Sequence, residues 1–317
     1  MNNIFISICI PAYQKPEQLK RLLESISIQT YKNYEVIISD DSKTDDVKNI
    51  SALFSSRLPI RYFKNNPPSG MGKNWNNSMI HSRGEWIKIM HDDDWFANEN
   101  SLQLFAETAA SSNKTFIFSA ATIVSTPGNT TRPHRLKNPD SSMLHKDLLS
   151  LLYFNTIGHP SVTMYRKDDA VLFDEQFRWV IDIDFYIRYL QQTGTGFFYL
   201  DQPLVNITND DNQVSSSAYK NPVVEIPEYL QLLSKFENKL HLHNEFAFYC
   251  VWELIRKFKI AEAAELNHYG YEGALPEKLT TIINYQHKIP NIILKQPQLN
   301  KWLMQYYFKK INHYVTT

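Results

Sequence analysis

Residues 85–95 read Glu-Trp-Ile-Lys-Ile-Met-His-Asp-Asp-Asp-Trp. The first six form a short apolar run with β-branched residues, the pattern of a buried strand. The run stops at three consecutive carboxylates, Asp92, Asp93 and Asp94. Adjacent like charges repel, and burying them unpaired is costly. A hard divalent cation removes that cost, and oxygen ligands suit Mg²⁺ or Mn²⁺. Mg²⁺ is usually held by one or two carboxylates plus substrate phosphates. An acidic run closing a strand therefore points to a nucleotide site. The plainer alternative is a solvated acidic turn or a helix cap.

Working outward, the same unit recurs. Apolar strands are expected at 4–10, 35–39 and 60–63, and helices at 16–26, 44–54 and 72–82. Leu19, Leu22, Leu23 and Ile26 recur at helical spacing, with Pro16 in the first turn. Strand–helix alternation of this length predicts an α/β fold with a mostly parallel sheet flanked by helices. Ligands of such sheets bind beyond the carboxyl ends of the strands. Three strands end in notable groups: Pro11-Ala12-Tyr13, Asp40-Asp41 and Asp92–Asp94. All are expected on one rim. Asp40 there can accept from a base N–H or from ribose hydroxyls; helix capping by Ser42 or Thr44 is the alternative.

Further along, strands are expected at 115–125, 161–165 and 197–200, helices at 143–154 and 180–190, and polar loops at 126–142 and 206–217. From about 223 the pattern turns to long helices at 225–240, 244–267 and 291–314. The expected division is a catalytic domain over 1–220 and a helical C-terminal region over 221–317.

Composition narrows the function. The chain of 317 residues carries 33 Lys+Arg and 33 Asp+Glu, so its net charge is zero. That argues against nucleic acid as the main partner. Neutrality also suggests a cation-seeking cleft whose compensating bases lie elsewhere, partly at the Lys-rich end of the chain. Cys9 and Cys250 make no disulfide framework and fit a reducing compartment. No secretory leader and no membrane-spanning run is read, so a cytoplasmic protein is expected. No G-x-G-x-x-G follows the first strand and no G-x-x-x-x-G-K-[ST] occurs, which disfavours dinucleotide dehydrogenases and P-loop enzymes.

The joint order of Ile10-Pro11-Ala12-Tyr13, Ser27-Ile28-Gln29-Thr30, Tyr34-Glu35-Val36-Ile37-Ile38, Asp40-Asp41-Ser42, Asn74-Trp75-Asn76, Arg83-Gly84-Glu85-Trp86 and Asp92-Asp93-Asp94-Trp95 resembles family 2 glycosyltransferases of the GT-A fold. The resemblance covers about 4–96, with weaker matches to about 215. It implies inverting transfer of a sugar from a nucleotide-sugar, chiefly a UDP-sugar, to a hydroxyl of a glycan or lipid-linked glycan in bacterial surface polysaccharide synthesis. It implies a Mn²⁺ or Mg²⁺ cofactor. Pro11, Ala12 and Tyr13 would line the base and ribose pocket. Asp40 would recognise the base, with Asp41 beside it. Asn76 would approach the donor. Asp92 to Asp94 would be the D-x-D-type element, with Asp93 on ribose or sugar and Asp94 on the metal. His91 stands where many members have the motif's first Asp.

Residues 177–188 resemble the family's catalytic-base segment. Asp182 falls at the base position, and Ile181 replaces the usual preceding acid. Asp184 is expected to pair with Arg188 at i+4 instead. His159 would face the acceptor. Gln213 and Ser215 would lie in a lid whose usual Arg and His are Thr208 and Asp210 here. Two rival functions remain at this stage: a metal-dependent sugar nucleotidyltransferase, and a nucleotide- or glycan-binding module without turnover. Trp302, Tyr306, Tyr307 and Phe308 with Lys301, Lys309 and Lys310 suggest an amphipathic helix for peripheral contact with the inner membrane face. Core packing or an oligomer face is the alternative.

Overall fold

The computed structural model describes residues 4–125, 130–137, 142–168, 170–210, 218–237 and 240–313. The chain forms two compact units, one of residues 1–142 with 157–213 and one of 143–156 with 214–317.

The first unit opens with β1 (Ile6–Ala12), α1 (Pro16–Ser27), β2 (Tyr34–Asp40), α2 (Asp46–Phe54), β3 (Ile60–Lys64), α3 (Met71–Ile80) and β4 (Trp86–Ile89). It continues with β5 (Trp95–Phe96), α4 (Ser101–Ser111), β6 (Phe116–Ser125) and β7 (Thr130–His134). Two short helices, α5 (Met143–Lys146) and α6 (Ser150–Tyr153), belong to the second unit. The chain then returns with β8 (Thr163–Arg166), α7 (Ile181–Thr193) and β9 (Phe197–Asn209).

These strands make one nine-stranded sheet ordered β3-β2-β1-β4-β8-β6-β9-β5, with β7 paired to β6. Strands β3, β2, β1 and β4 are parallel, as their alternation with helices requires. All seven residues of β1 and of β2 are buried, as expected for parallel strands covered on both faces. The other half is mixed: β6 and β9 run parallel over ten residue pairs, the longest pairing in the sheet. β8 runs antiparallel to β4 and β6, and β5 runs antiparallel to β9.

Local expectations fail where polar residues sit in paired strands. The segment 206–217 reads as a loop, but β9 continues to Asn209 alongside β6, with Leu204, Val205 and Ile207 buried. Likewise β7 forms inside the expected 126–142 loop because β6 supplies a free edge. The expected helix at 143–154 is two short helices.

At the amino end of the sheet Glu35 ties three strands together. Its carboxylate accepts from the Ser7 hydroxyl at 2.7 Å, the Arg83 N–H at 2.6 Å and Arg61 at 3.0 Å. Gly84 lets β4 begin this close to β1. A Cβ there would stand 2.5 Å from the Ser7 nitrogen and 2.9 Å from the Ile6 carbonyl carbon.

The second unit adds α8 (Pro222–Phe236), α9 (Glu245–Phe258), α10 (Ala264–His268), α11 (Glu277–His287), α12 (Asn291–Leu294) and α13 (Pro297–His313). The helix expected over 244–267 therefore breaks after Phe258, where Lys259 takes a left-handed conformation, φ 55°. Asn244 caps α9, its side chain accepting from Phe246 N–H at 2.8 Å and Ala247 N–H at 3.2 Å. Trp252 is fully buried at the centre of this unit and donates to Asn300 on α13 at 2.8 Å. Both cysteines are buried and free. Among the described residues, no helix is long and apolar enough to cross a membrane.

Replacing Gly84 by Ala is expected to cost about 1–3 kcal/mol, since backbone rather than a flexible side chain blocks the new methyl. The urea midpoint should fall with an unchanged slope; a wild-type midpoint would contradict the close approach.

Candidate active site

The rim expected from the sequence forms at the carboxyl ends of β1, β2 and β4. The peptide N–H of Tyr13 donates to Asp92 at 2.7 Å, joining the end of β1 to the acidic turn. Gln14 N–H donates to the Ser42 hydroxyl at 2.8 Å, and Asp41 N–H donates to the Ala12 carbonyl at 3.0 Å. Pro11 and Ala12 are buried in the rim, whereas the Tyr13 ring is 43% exposed.

Asp40 is fully buried and engaged on both oxygens. One accepts from Ser42 N–H at 2.8 Å; the other accepts from the Tyr62 hydroxyl at 2.6 Å and Lys64 at 2.9 Å. Asp41 gathers the loop before α3, accepting from the N–H groups of Ser69 and Gly70 and from Asn65. Asn76 also spends its amide inside the protein: it donates to the Phe173 carbonyl at 3.0 Å and to Glu175 at 3.1 Å, and accepts from Phe173 N–H at 2.8 Å. These contacts give Asp40, Asp41 and Asn76 organising work at the rim.

Asp92, Asp93 and Asp94 are all buried. Contrary to the expectation of bases lying elsewhere, cations stand directly against them. Lys15 reaches Asp93 at 2.7 Å. Burial works against the Lys15 charge, but Asp93 and Asp92 outweigh it and its pKa is raised. Arg21 on α1 donates to the Asp93 carbonyl at 2.6 Å and to the Thr208 hydroxyl at 2.9 Å, with its guanidinium 3.6 Å from the Trp95 ring centre. Thr208, at the end of β9, donates its N–H to Asp94 at 3.0 Å and its hydroxyl to the Asp93 carbonyl. Beneath the turn Lys88 is fully buried in β4. It donates to the Ser161 and Ile89 carbonyls, and burial pushes it down to about 7 against the pull of Asp94.

These bonds define the local electrostatics. Burial, then the neighbouring Asp93, pushes Asp92 up to about 7 and Asp94 well above the carboxylate range. Burial pushes the His91 imidazole down to about 4, so it is neutral near pH 7. Ligand atoms of His91, Asp93 and Asp94 lie within 4.8 Å of one another. The His91 Nε2 is buried and has no hydrogen-bond partner. A neutral imidazole with an unpartnered Nε2, beside the Asp93 and Asp94 carboxylates, is a donor set that fits a divalent cation. One nitrogen with two carboxylates suits Mn²⁺ better than an all-oxygen Mg²⁺ site.

The loop 158–161 connects this turn to α7. His91 N–H donates to the Ser161 hydroxyl at 2.9 Å, and the Tyr186 hydroxyl of α7 donates to the Gly158 carbonyl at 3.1 Å. His159 keeps an exposed face, yet protein around it, with His134 adding, pushes it down to about 4 against the pull of Asp93. Asp182 lies half-buried in the first turn of α7, accepting from Ile183 N–H at 2.8 Å. Asp184 is fully buried and holds Arg188 at 2.5 Å, as the i+4 spacing predicts. Gln213 and Ser215 lie outside the described residues. Sequence reasoning missed Lys15, Arg21 and Lys88, and placed Thr208 in a lid rather than against the acidic turn. Only Lys88 carries a signal, a lone charge inside an apolar strand.

The sequence profile of glycosyl transferase family 2 matches residues 7–172, just over half of the chain. The chain belongs to this family. The first curated relatives are spanned over 64–72% of their length. One relative is the amylovoran biosynthesis glycosyltransferase AmsB of Erwinia amylovora, 26% identical over 65% of this chain and 70% of AmsB. The fold is shared with S. aureus TarS 1-349 in complex with UDP-GlcNAc (TM-score 0.57, 18% identity, 89% of this chain and 86% of that one). It is also shared with the mannosyltransferase PcManGT of Pyrobaculum calidifontis in complex with GDP-Man and Mn²⁺ (TM-score 0.55, 15% identity, 96% and 84%). The protein is thus a glycosyltransferase of GT-A architecture.

Two outcomes are expected. Arg21→Ala removes a stacking contact and two charge-assisted hydrogen bonds, one to the acidic turn at the Asp93 carbonyl and one to the Thr208 hydroxyl, each worth about 1.5–3 kcal/mol. Mn²⁺ affinity by isothermal titration should fall at least about tenfold while the circular dichroism spectrum is kept; unchanged affinity would show that Arg21 does not hold the turn. The second concerns pH. Raised carboxyl pKa values mean that the metal-free fold holds protons the unfolded chain releases. The Asp92 contribution to stability therefore falls as pH rises from the ordinary carboxylate value of 3.8 to about 7, with Asp94 acting in the same direction and the depressed His91 and His159 in the opposite one. A cation must displace those protons, so the Mn²⁺-induced rise in Tm should be larger at about pH 8 than at about pH 5.5. A larger rise in acid would contradict the assignment.

Proposed function

We propose that the protein is an inverting transferase that moves one sugar from a nucleotide-sugar, chiefly a UDP-sugar, to a hydroxyl of a glycan acceptor in surface polysaccharide synthesis. The observation that carries this reading is the cluster of half-buried His91 with buried Asp93 and Asp94 at the strand-end rim. Support for the donor class comes from the UDP-GlcNAc and GDP-Man complexes of the two proteins sharing the fold. Support for the polysaccharide context comes from the relative AmsB, a glycosyltransferase of amylovoran biosynthesis.

In this reading the exposed Tyr13 ring and the Pro11-Ala12 backbone form the wall for base and ribose. Asp40 shapes that wall through Tyr62 and Lys64, and Asp41 fixes the loop leading to α3. Asn76 acts at one remove, holding the 173–175 segment to α3. Asp92 holds the end of β1 in place, and Asp93 contacts ribose or sugar. A divalent cation held by Asp94 with Asp93 and His91 would offset the charge growing on the departing diphosphate. Asp182 removes the proton from the attacking hydroxyl as the new C–O bond forms at the anomeric carbon. His159, neutral at working pH, lines the acceptor side.

The test is UDP release from UDP-sugars in the presence of Mn²⁺, with and without polysaccharide acceptors. Wild type is expected to release UDP. Asp182→Asn should lose about 100-fold or more in rate while keeping its Tm shift with UDP and Mn²⁺. Full activity in Asp182→Asn would remove that residue from the chemistry. UDP binding without any turnover of wild type would favour a binding module, and pyrophosphate-dependent chemistry would favour a nucleotidyltransferase.

A further inference from the structure

The last two helices of the second unit carry a surface that the transferase reading does not use. Helix α13 is satisfied on its inner side. Met304 and Ile311 are buried, Tyr307 stacks on Trp252 at 5.6 Å, and Phe308 meets Phe248 at 5.5 Å. Its outer side bears Leu299, Trp302 and Tyr306, spaced i, i+3 and i+7 and so on one face. They are 48%, 60% and 46% exposed. Trp302 and Tyr306 lie nearly parallel, ring centres 5.5 Å apart with 13° between planes. Ile292 on α12 adds a side chain 73% exposed.

Charge tells what such a stripe meets. Residues 291–313 contain Lys295, Lys301, Lys309 and Lys310 and no Asp or Glu. Lys295, Lys301 and Lys309 are exposed. Glu253 of α9, which binds Asn300 of α13, is itself paired with Arg256. Exposed Trp and Tyr beside lysines, on a helix that cannot span a bilayer, is the chemistry of the water–lipid boundary. Indole and phenol rings partition to the headgroup level, and lysines are drawn to anionic headgroups.

We infer that the α12–α13 face docks the protein on an anionic lipid surface, with Trp302 and Tyr306 as the anchors. This stands on the second unit alone and does not depend on the donor or metal assignment. A neutral bilayer offers the rings a site but leaves the lysines unrewarded, so anionic lipid and low salt both strengthen the contact.

The test is co-sedimentation of the full chain with phosphatidylcholine vesicles, with and without phosphatidylglycerol. Wild type is expected to sediment with the anionic vesicles, less so at high salt. Trp302→Ala/Tyr306→Ala should lower the partition coefficient at least tenfold, and Lys301→Glu/Lys309→Glu should abolish the preference for phosphatidylglycerol. All four side chains are exposed or half-exposed, so circular dichroism and Tm should stay at wild-type values. Equal sedimentation of wild type and variants, or none by wild type, overturns the inference. So does a concentration-dependent dimer in sedimentation velocity that the same substitutions abolish, because the face would then belong to a second copy.

Discussion

Three adjacent carboxylates held out of water are the constraint on which the rest of this sheet unit depends. Asp92, Asp93 and Asp94 would repel one another and forfeit hydration if left alone. The fold meets that cost by bringing partners from distant parts of the chain: Tyr13 and Lys15 after β1, Arg21 from α1, Ser161 from the turn before β8, and Thr208 from the end of β9. Each of these residues reaches the same acidic turn. The compensation is also incomplete, since Asp92 and Asp94 still favour protons and His91 Nε2 remains without a partner. A site that is held firmly yet left short of positive charge is suited to a cation that arrives with its substrate.

This arrangement explains which residues the sequence exposes and which it hides. The acidic run, Pro11 to Tyr13 and Asp40-Asp41 were legible because each closes an apolar strand of a repeating unit. Asp184 with Arg188 was legible because helix spacing brings them together. Lys15, Arg21 and Thr208 were not, because an isolated Lys, Arg or Thr on a polar surface carries no pattern; tertiary placement alone makes them partners of the turn. Thr208 had the further handicap of standing in a segment that reads as loop. Its strand character comes from pairing with β6, not from its own composition.

The antiparallel placement of β8 and β5 was hidden for a similar reason. Periodicity marks strands, but direction follows from connections, and β8 returns only after the chain has visited the helical unit at α5 and α6. In that unit the aromatic residues divide cleanly. Phe248 and Trp252 of α9 are buried with half-buried Tyr307 and Phe308 of α13 against them, while Trp302 and Tyr306 of α13 face outward. Sequence spacing alone does not separate these two sets, because both recur at helical intervals.

The central claim is that the acidic turn is a cation site completed by nucleotide. Electron paramagnetic resonance of Mn²⁺ titrated into the protein with UDP measures it most directly. The account predicts loss of the free-ion signal at about one Mn²⁺ per chain, abolished by Asp94→Asn and weakened by His91→Ala. A free-ion signal undiminished by wild-type protein, or equal binding by Asp94→Asn, would contradict it.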